Sequence, residues 1–564
     1  MLKFLSGLAI SAVIAFYLLF NRFYSVNFPF LDDFSLLQFT VQVTKEPFSW
    51  STFIHELFKT YNDHKAVIPK LVSYCYFLIN GYVNFRFCLF VVSVNVTLIF
   101  VFLYFQFRKM ALPLYYFLPC AFLFFQPLYH EISNWALTGM QQSFLIVFVL
   151  CAIASVSSGT LKGFWIAMLF CFLATFTFGS GIISFPAIMF YFFCFRNYRR
   201  MLGTAVSMFA ALAIYLLSYE TGQEATIQDN VVDLFSSLFA FIGSGVSVFG
   251  QPDIVSTVHG VFISAFVIFL MVKKSLVNYE KNDSSKSGTI ELLTFFAFIL
   301  ITAAIVAVCR SRSGSVIASR FQIYAALSMV VFYLLLLDTT EFARRKSVLA
   351  VLTCLSAFYW CYSYYTFTEI VAAKKATYLA DIFNWKNNRT MYSVEKTVRD
   401  NAAFYLHPAY NKGVLKLPEA IIEKSQLDSL YRYTIAPVGE AGIYVQDWNV
   451  SRRTKKGEER LTYFFVRSDV APARKQFSDD RFLVLKCRDD GRIHLVQANP
   501  KIEAKRRILN GNYYRKGFNA FFRNDDLGEG VYDLAILDVR NNKYEAFYKL
   551  NKSLYFSKWN YCLR

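Results

Sequence analysis

FCLFVVSVNVTLIFVFLYFQF, residues 87–107, runs for 21 positions without a charged side chain, and Arg108-Lys109 follow at once. A helix of that length spans about 30 Å, the thickness of a bilayer's hydrocarbon core. Uncharged runs recur at 4–20, 111–129, 138–158, 163–195, 201–218, 234–251, 254–272, 292–309, 321–337 and 347–367. The whole chain is 56% hydrophobic and only 17% charged. Soluble domains are roughly 45–50% apolar and about 25% charged. The pattern therefore predicts a polytopic α-helical membrane protein.

Two runs decide the topology. The run 163–195 is broken by Gly179-Ser180-Gly181 and flanked by Lys162 on one side and Arg196, Arg199 and Arg200 on the other. Cytoplasmic loops are enriched in Lys and Arg, so both flanks belong inside. An even number of crossings must separate them, and the run divides into two short spans. The run 234–251 follows Glu220, Glu224, Asp229 and Asp233, and the next run ends at Lys273-Lys274. Counting it as a crossing would put those lysines outside, so it reads as re-entrant or interfacial. The run 4–20 follows only Lys3 and has no small-residue cleavage site after it, so it reads as a retained first span. About eleven crossings result. The N-terminus lies inside, a long first loop (21–86) outside, and the C-terminus outside.

The membrane domain covers 1–370. Beyond it, residues 371–564 hold 35 Lys and Arg against 22 Asp and Glu. Helical periodicity at 372–405 and 418–432 precedes apolar strands at 481–487 and 492–497 around Asp489-Asp490-Gly491. A second strand pair at 531–556 turns at Asn541-Asn542. A soluble α+β domain is expected. The formal charge of +19 sits in short loops and in this domain, which argues against a nucleic-acid partner. Nine of the eleven cysteines lie in or beside the membrane region. The other two, Cys487 and Cys562, are a candidate pair in an oxidising compartment.

The chemistry-bearing residues fall in three places, all outside by this topology. The first loop holds Asp32-Asp33, then Asn62-Asp63-His64-Lys65 and Ile68-Pro69-Lys70. Paired acids at a membrane surface are costly unless they are solvated or used. An aspartate there suits general-base work on a hydroxyl, or a divalent metal through oxygen ligands. The structural alternative is that one of them caps the helix starting near Phe34. His130-Glu131, Asn134-Trp135 and Gly139-Met140-Gln141-Gln142 form a dense polar patch between two runs, which could equally be an interfacial tryptophan belt. Arg310, Arg312 and Arg320 break the positive-inside bias, and arginine pairs bidentately with phosphate. Anionic headgroups would serve them as well. No Walker loop, zinc-binding His-Glu-x-x-His helix or Cys-x-x-Cys pair occurs. His259, in an apolar run, reads as a core residue.

Taken together, the first-loop Asp-Asp, the Asn-Asp-His-Lys patch, the Trp-x-x-x-Gly-x-Gln segment, the late arginines and the C-terminal domain resemble the GT-C glycosyltransferases. The layout is similar to bacterial O-antigen-modifying glucosyltransferases of the serotype-converting type, over about 1–370. The resemblance implies hexosyl, in particular glucosyl, transfer from a polyprenyl-phosphate sugar to a glycan or lipopolysaccharide acceptor. The site would face the periplasm, with the protein in the bacterial inner membrane among its lipids. It implies Asp32 or Asp33 as the base, and donor or acceptor contacts from Asn62, Asp63, His64, Lys65, His130, Glu131, Trp135 and Gln141. The lipid phosphate would fall to Arg310, Arg312 and Arg320. No cofactor is fixed; Mg or Mn at Asp32 and Asp33 is the open alternative. An O-antigen polymerase or ligase, or a lipid-linked glycan transporter, are the rival readings. The first usually has a large middle outer loop, and the second carries ionisable residues within spans.

Overall fold

The computed structural model describes residues 2–61, 64–217, 219, 228, 230–250, 253–276, 284–313, 316–394, 396–433, 443–454, 457–474, 479–502, 513–523, 527–556 and 561–563. The chain divides into two compact units. A helical unit comprises residues 1–25, 32–368 and 412–414; a sheet unit comprises 26–31, 369–411 and 415–564.

Among the described residues, nine helices are long and apolar enough to cross a membrane. They are Lys3–Tyr24, Phe85–Lys109, Ala136–Ser157, Tyr198–Leu216, Val231–Phe249, Asp253–Ser275, Gly288–Arg310, Ser319–Thr339 and Lys346–Asn388. Leu161–Thr177 and Gly179–Cys194 are apolar but shorter. Large apolar side chains stand exposed along these helices. On Asp253–Ser275, Ile254, Val258, Phe262 and Phe269 share one face and are 62–69% exposed. Such a stripe is unfavourable in water and natural in lipid. The chain is a polytopic helical membrane protein with a C-terminal β region.

The run 111–129 is not one helix. It forms a 3-10 turn at Leu114–Phe117, a short helix at Leu118–Phe124 and another 3-10 turn at Pro127–Tyr129, before the helix His130–Asn134. Pro119 and Pro127 cannot donate to a helical ladder, which accounts for the breaks. The segment nevertheless runs alongside the last long helix. Tyr116 donates to the Arg344 carbonyl (2.7 Å), Trp360 Nε1 donates to the Phe125 carbonyl (2.7 Å), and His130 stacks near Phe367 (5.5 Å).

The segment 231–249 differs too. It is helical over Val231–Gly243 and 3-10 over Ser244–Phe249, and it qualifies as a span by length and composition. It contacts three neighbouring segments. Ser237 meets Ser311 (2.7 Å), Gln322 donates to Ser247 (2.7 Å), and Phe249 lies against Tyr362 (5.1 Å). Ser311 and Gln322 belong to neighbouring helix ends.

The helical bundle thus has two ends. At one, Lys109 pairs with Glu291 (2.6 Å), Arg344 binds the Leu337 and Asp338 carbonyls, and Arg196 binds the Ser275 carbonyl. At the other lie the first loop, His130–Asn134 and Arg320.

In the sheet unit, helical residues 369–388 lead onto the sheet. Asn384 bonds both N–H and C=O of Leu495, Asn388 binds the Ile493 carbonyl, and Thr377 binds Gln497. Helix positions 377, 384 and 388 share a face, and strand positions 497, 495 and 493 share another, so helix and strand run antiparallel. The strands are β1 (Ile443–Thr454), β2 (Gly457–Ser468), β3 (Asp479–Cys487), β4 (Ile493–Ile502), β5 (Tyr514–Arg523), β6 (Gly530–Arg540), β7 (Lys543–Phe556) and β8 (Tyr561–Leu563). They form one antiparallel sheet in the order β1-β2-β5-β4-β3-β6-β7-β8. The core is Phe464, Val466, Leu483, Leu485, Phe518, Phe522, Leu534 and Ile536. Asn541 and Asn542 both take positive φ (51° and 60°), the demand of a two-residue hairpin whose twist matches its strands. Cys487 is a buried free thiol. Strand β3, which carries it, is separated from β8 and Cys562 by β6 and β7. At about 4.8 Å per strand that exceeds the roughly 7 Å reach of a disulfide.

Candidate functional site

The first-loop acid pair divides into two roles. Asp33 is 2% exposed, and its Oδ1 accepts from the backbone N–H of Leu137 at 2.6 Å. It makes no cap on its own helix, Phe34–Val43. It caps a different one: Ala136–Ser157 begins after Trp135, which supplies no side-chain cap. A carboxylate at a helix N-terminus satisfies an orphan donor and meets the positive end of the helix dipole. Asp32 is half-buried, and its carbonyl accepts from the Ser35 hydroxyl (2.8 Å).

The same helix start carries the second cluster. His130–Asn134 lies so close to it that a Cβ on Gly139 would sit 2.2 Å from the Ile132 carbonyl oxygen. Glu131 Oε2 accepts from Arg320 twice, from the backbone N–H at 3.1 Å and from Nη1 at 3.3 Å. Ser319 answers from the other side: its hydroxyl accepts from the Glu131 N–H (3.2 Å) and donates to the Leu128 carbonyl (2.8 Å). His130 Nδ1 also lies 3.1 Å from Ser319 Oγ. With the Ser319 proton given to Leu128, the His130–Ser319 bond needs a proton on Nδ1 of His130. The Arg320 guanidinium stands 6.0 Å over the Trp135 ring. Ser319 had no signal in the sequence beyond its neighbour Arg320.

His64 and Lys65 join another part of the same end. His64 stacks on Phe178 (4.0 Å), and a Cβ on Gly179 would lie 3.2 Å from His64 Nδ1, so the glycine turn does approach this loop. Lys65 is buried, donates to the Leu217 carbonyl (2.7 Å), and has its pKa lowered by that burial. Asn62 and Asp63 lie outside the described residues. Arg310 and Arg312 are exposed, beside the Ser311–Ser237 contact. Gln141 is buried in the helix Ala136–Ser157, and its neighbour Gln142 accepts from Tyr324 (2.6 Å). His259 Nδ1 meets the Gly243 carbonyl at 3.1 Å.

Among the described residues, no group of three His, Cys, Asp or Glu side chains is placed to hold a metal ion. Asp33 Oδ1 is also engaged by Leu137.

A feature absent from the sequence reading is an apolar crevice of about 340 Å³ at this end, walled by Leu18, Leu19, Leu89 and Phe90. Arg22 and Arg86 stand at it, and Arg86 Nη2 donates to the Arg22 carbonyl (3.1 Å).

No family model, curated protein or solved structure matches the chain.

Proposed function

We propose that the protein transfers a hexosyl group, by preference glucosyl, from a polyprenyl-phosphate sugar to a cell-surface glycan such as O-antigen, as a GT-C-type glycosyltransferase. The observation that carries the reading is the Asp33–Leu137 bond. It ties the first-loop acid pair to the helix start that carries Trp135, beside the His130–Glu131–Arg320 cluster. A carboxylate and a guanidinium at one rim of a membrane bundle suit transfer from a lipid phosphate, one as base and one as partner of the leaving group.

The acceptor O–H attacks the anomeric carbon, and the bond from that carbon to the phosphate oxygen breaks with its electron pair. Asp32, whose neighbour is already committed to a helix cap, takes the proton. Arginines stabilise the charge gathering on the leaving phosphate, an effect that is often the largest single catalytic contribution. Arg310, Arg312 and Arg320 are the candidates from sequence. Arg22 and Arg86 add a pair at an apolar crevice suited to a prenyl tail.

The topology proposed with this is eleven crossings in the inner membrane, N-terminus cytoplasmic and C-terminal domain periplasmic. In support, Lys109, Arg196 and Arg344 gather at the bundle end away from Asp33. The broken segment 114–134 keeps pace with the helix Lys346–Asn388.

The test is transfer of a radiolabelled hexose from its polyprenyl-phosphate donor to a glycan acceptor, in membranes matched for expression. Asp32→Asn should lose at least a hundredfold of the rate. Wild-type membranes inert toward every polyprenyl hexose tried would reject the proposal.

A further inference from the structure

Within the sheet unit lies a cavity of about 140 Å³ between helical residues 369–376 and strands β3, β4, β6 and β7. Its floor is made of side chains too small to fill it: Ala372, Ala373 and Ala376 share the helix face. The rim is polar, and most of it is internally satisfied. Arg481 holds Asp538 through two bonds (2.6 and 2.7 Å). Arg540 pairs with Asp479 (3.1 Å) and Glu545 (2.9 Å). Glu369 takes Arg474 (3.3 Å) and the Tyr514 hydroxyl.

Asp480 is the exception. It is 8% exposed and lines the cavity, yet its carboxylate forms no hydrogen bond or ion pair with any described residue. With no protein donor bonded to it, a carboxylate that lines a cavity keeps its acceptor sites for a ligand. Its surroundings narrow what could satisfy it. Lys375 and Arg474 act on it with positive charge and would repel an ammonium; Asp479 and Glu369 act with negative charge and would repel an anion. A neutral hydroxyl donor meets neither objection. Gln497 and Asn499, bonded to each other across the same wall, supply amides to further hydroxyls. The alanine floor suits the apolar face of a sugar ring. Burial raises the Asp480 carboxyl to about 6, so it is ionised, and an acceptor, at neutral pH.

We propose that this cavity is a monosaccharide subsite, in which a neutral hexose residue donates a hydroxyl hydrogen bond to Asp480. The choice of a sugar among hydroxyl compounds rests on the glycan-transfer reading; the site itself rests on the cavity and on Asp480.

The experiment is saturation-transfer NMR on the full chain in nanodiscs, free of glycoside detergents. The probes are methyl α-hexosides of gluco, galacto and manno configuration at millimolar concentration. Wild type should transfer magnetisation to at least one. Asp480→Asn, nearly isosteric, should weaken that binding at least tenfold, and Ala373→Leu, which fills the floor, should abolish it. Asp32→Asn should bind as wild type does while losing sugar transfer. A wild type that binds a hexoside through Asp480 but transfers nothing would keep the subsite and sink the transferase reading. The subsite is overturned if no hexoside binds, if both cavity variants bind as well as wild type, or if methylammonium or inorganic phosphate displaces the hexoside.

Discussion

Asp33 Oδ1 lies 2.6 Å from the backbone nitrogen of Leu137, a residue 104 positions further along the chain. One carboxylate of an adjacent pair is thereby used as a helix cap supplied by another segment.

The two aspartates should therefore separate on substitution. Loss of a capping acid costs about 1 kcal/mol, up to about 2 where the site is buried. Asp33→Ala should lower the thermal stability of the purified chain by that amount, and Asp33→Asn, which keeps an acceptor oxygen, by less. Asp32→Asn should leave the melting temperature unchanged while removing transfer. Equal melting losses for Asp32→Asn and Asp33→Ala would contradict the division of roles.

Glu131 and Arg320 are unequal partners. The carboxylate accepts from both the backbone and the side chain of Arg320, and the two side chains are about a quarter exposed (27% and 26%). Arg320→Ala leaves the backbone bond intact; Glu131→Ala removes both. Partly exposed ion pairs contribute little, whereas a lost hydrogen bond costs about 1 kcal/mol. Glu131→Ala should thus destabilise by about 1 kcal/mol more than Arg320→Ala in denaturation of the full chain. The reverse order would show that the guanidinium, not the carboxylate, holds the loop.

What the sequence disclosed follows from range. The apolar runs and both tight hairpins are local patterns, and they are where 85–109, β3–β4 and β6–β7 stand. The acid pair stood out as chemistry, but the partner that distinguishes Asp33 from Asp32 is a backbone group 104 residues away, with no side-chain signature. Ser319 is one hydroxyl among many until the fold brings it to His130 and Glu131. Strands β1 and β2 carry no local signal, because their shared turn region, Ser451 to Arg460, is polar and charged; their register is set by pairing with each other and with β5. The helical pattern at 372–405 spans a break: Arg389 takes a positive φ of 56° and a second helix starts at Lys396.

Lys70 gives a test of the first loop. Its Nζ donates to the carbonyls of Glu56 (2.9 Å), Leu57 (3.1 Å) and Lys59 (2.9 Å), closing the C-terminal end of the helix Trp50–Phe58. Each such bond contributes about 0.5–1.5 kcal/mol net. Lys70→Met, which keeps the apolar stem, should raise hydrogen exchange at residues 50–59 by one to two orders of magnitude. Exchange elsewhere in the chain should change little. Unchanged protection at 50–59 would mean that the helix is held by its apolar face alone.

The sheet unit should answer to acid through His494. The ring is 1% exposed, Nδ1 meets the Tyr392 hydroxyl at 3.0 Å, and burial, aided by Arg492, lowers its pKa from 6.5 to about 4. The unfolded chain then binds the proton more readily than the folded one. Stability from this group is complete above about 6.5 and is lost as pH falls from there towards 4, a change of about 3 kcal/mol at the limit. Asp480, raised to about 6, acts in the opposite sense over much of that window: the folded form binds its proton first, so its contribution grows as pH falls. Asp381, also raised to about 6 by burial, acts in the same sense as Asp480. The wild-type curve therefore mixes all three, and only differences between variants isolate any one. His494→Gln should remove the acid loss, so that the full chain's melting transition moves less between pH 7 and pH 5 than in wild type. Asp480→Asn should do the opposite and steepen it. Identical pH slopes in wild type and His494→Gln would mean that the imidazole is solvated enough to protonate in place.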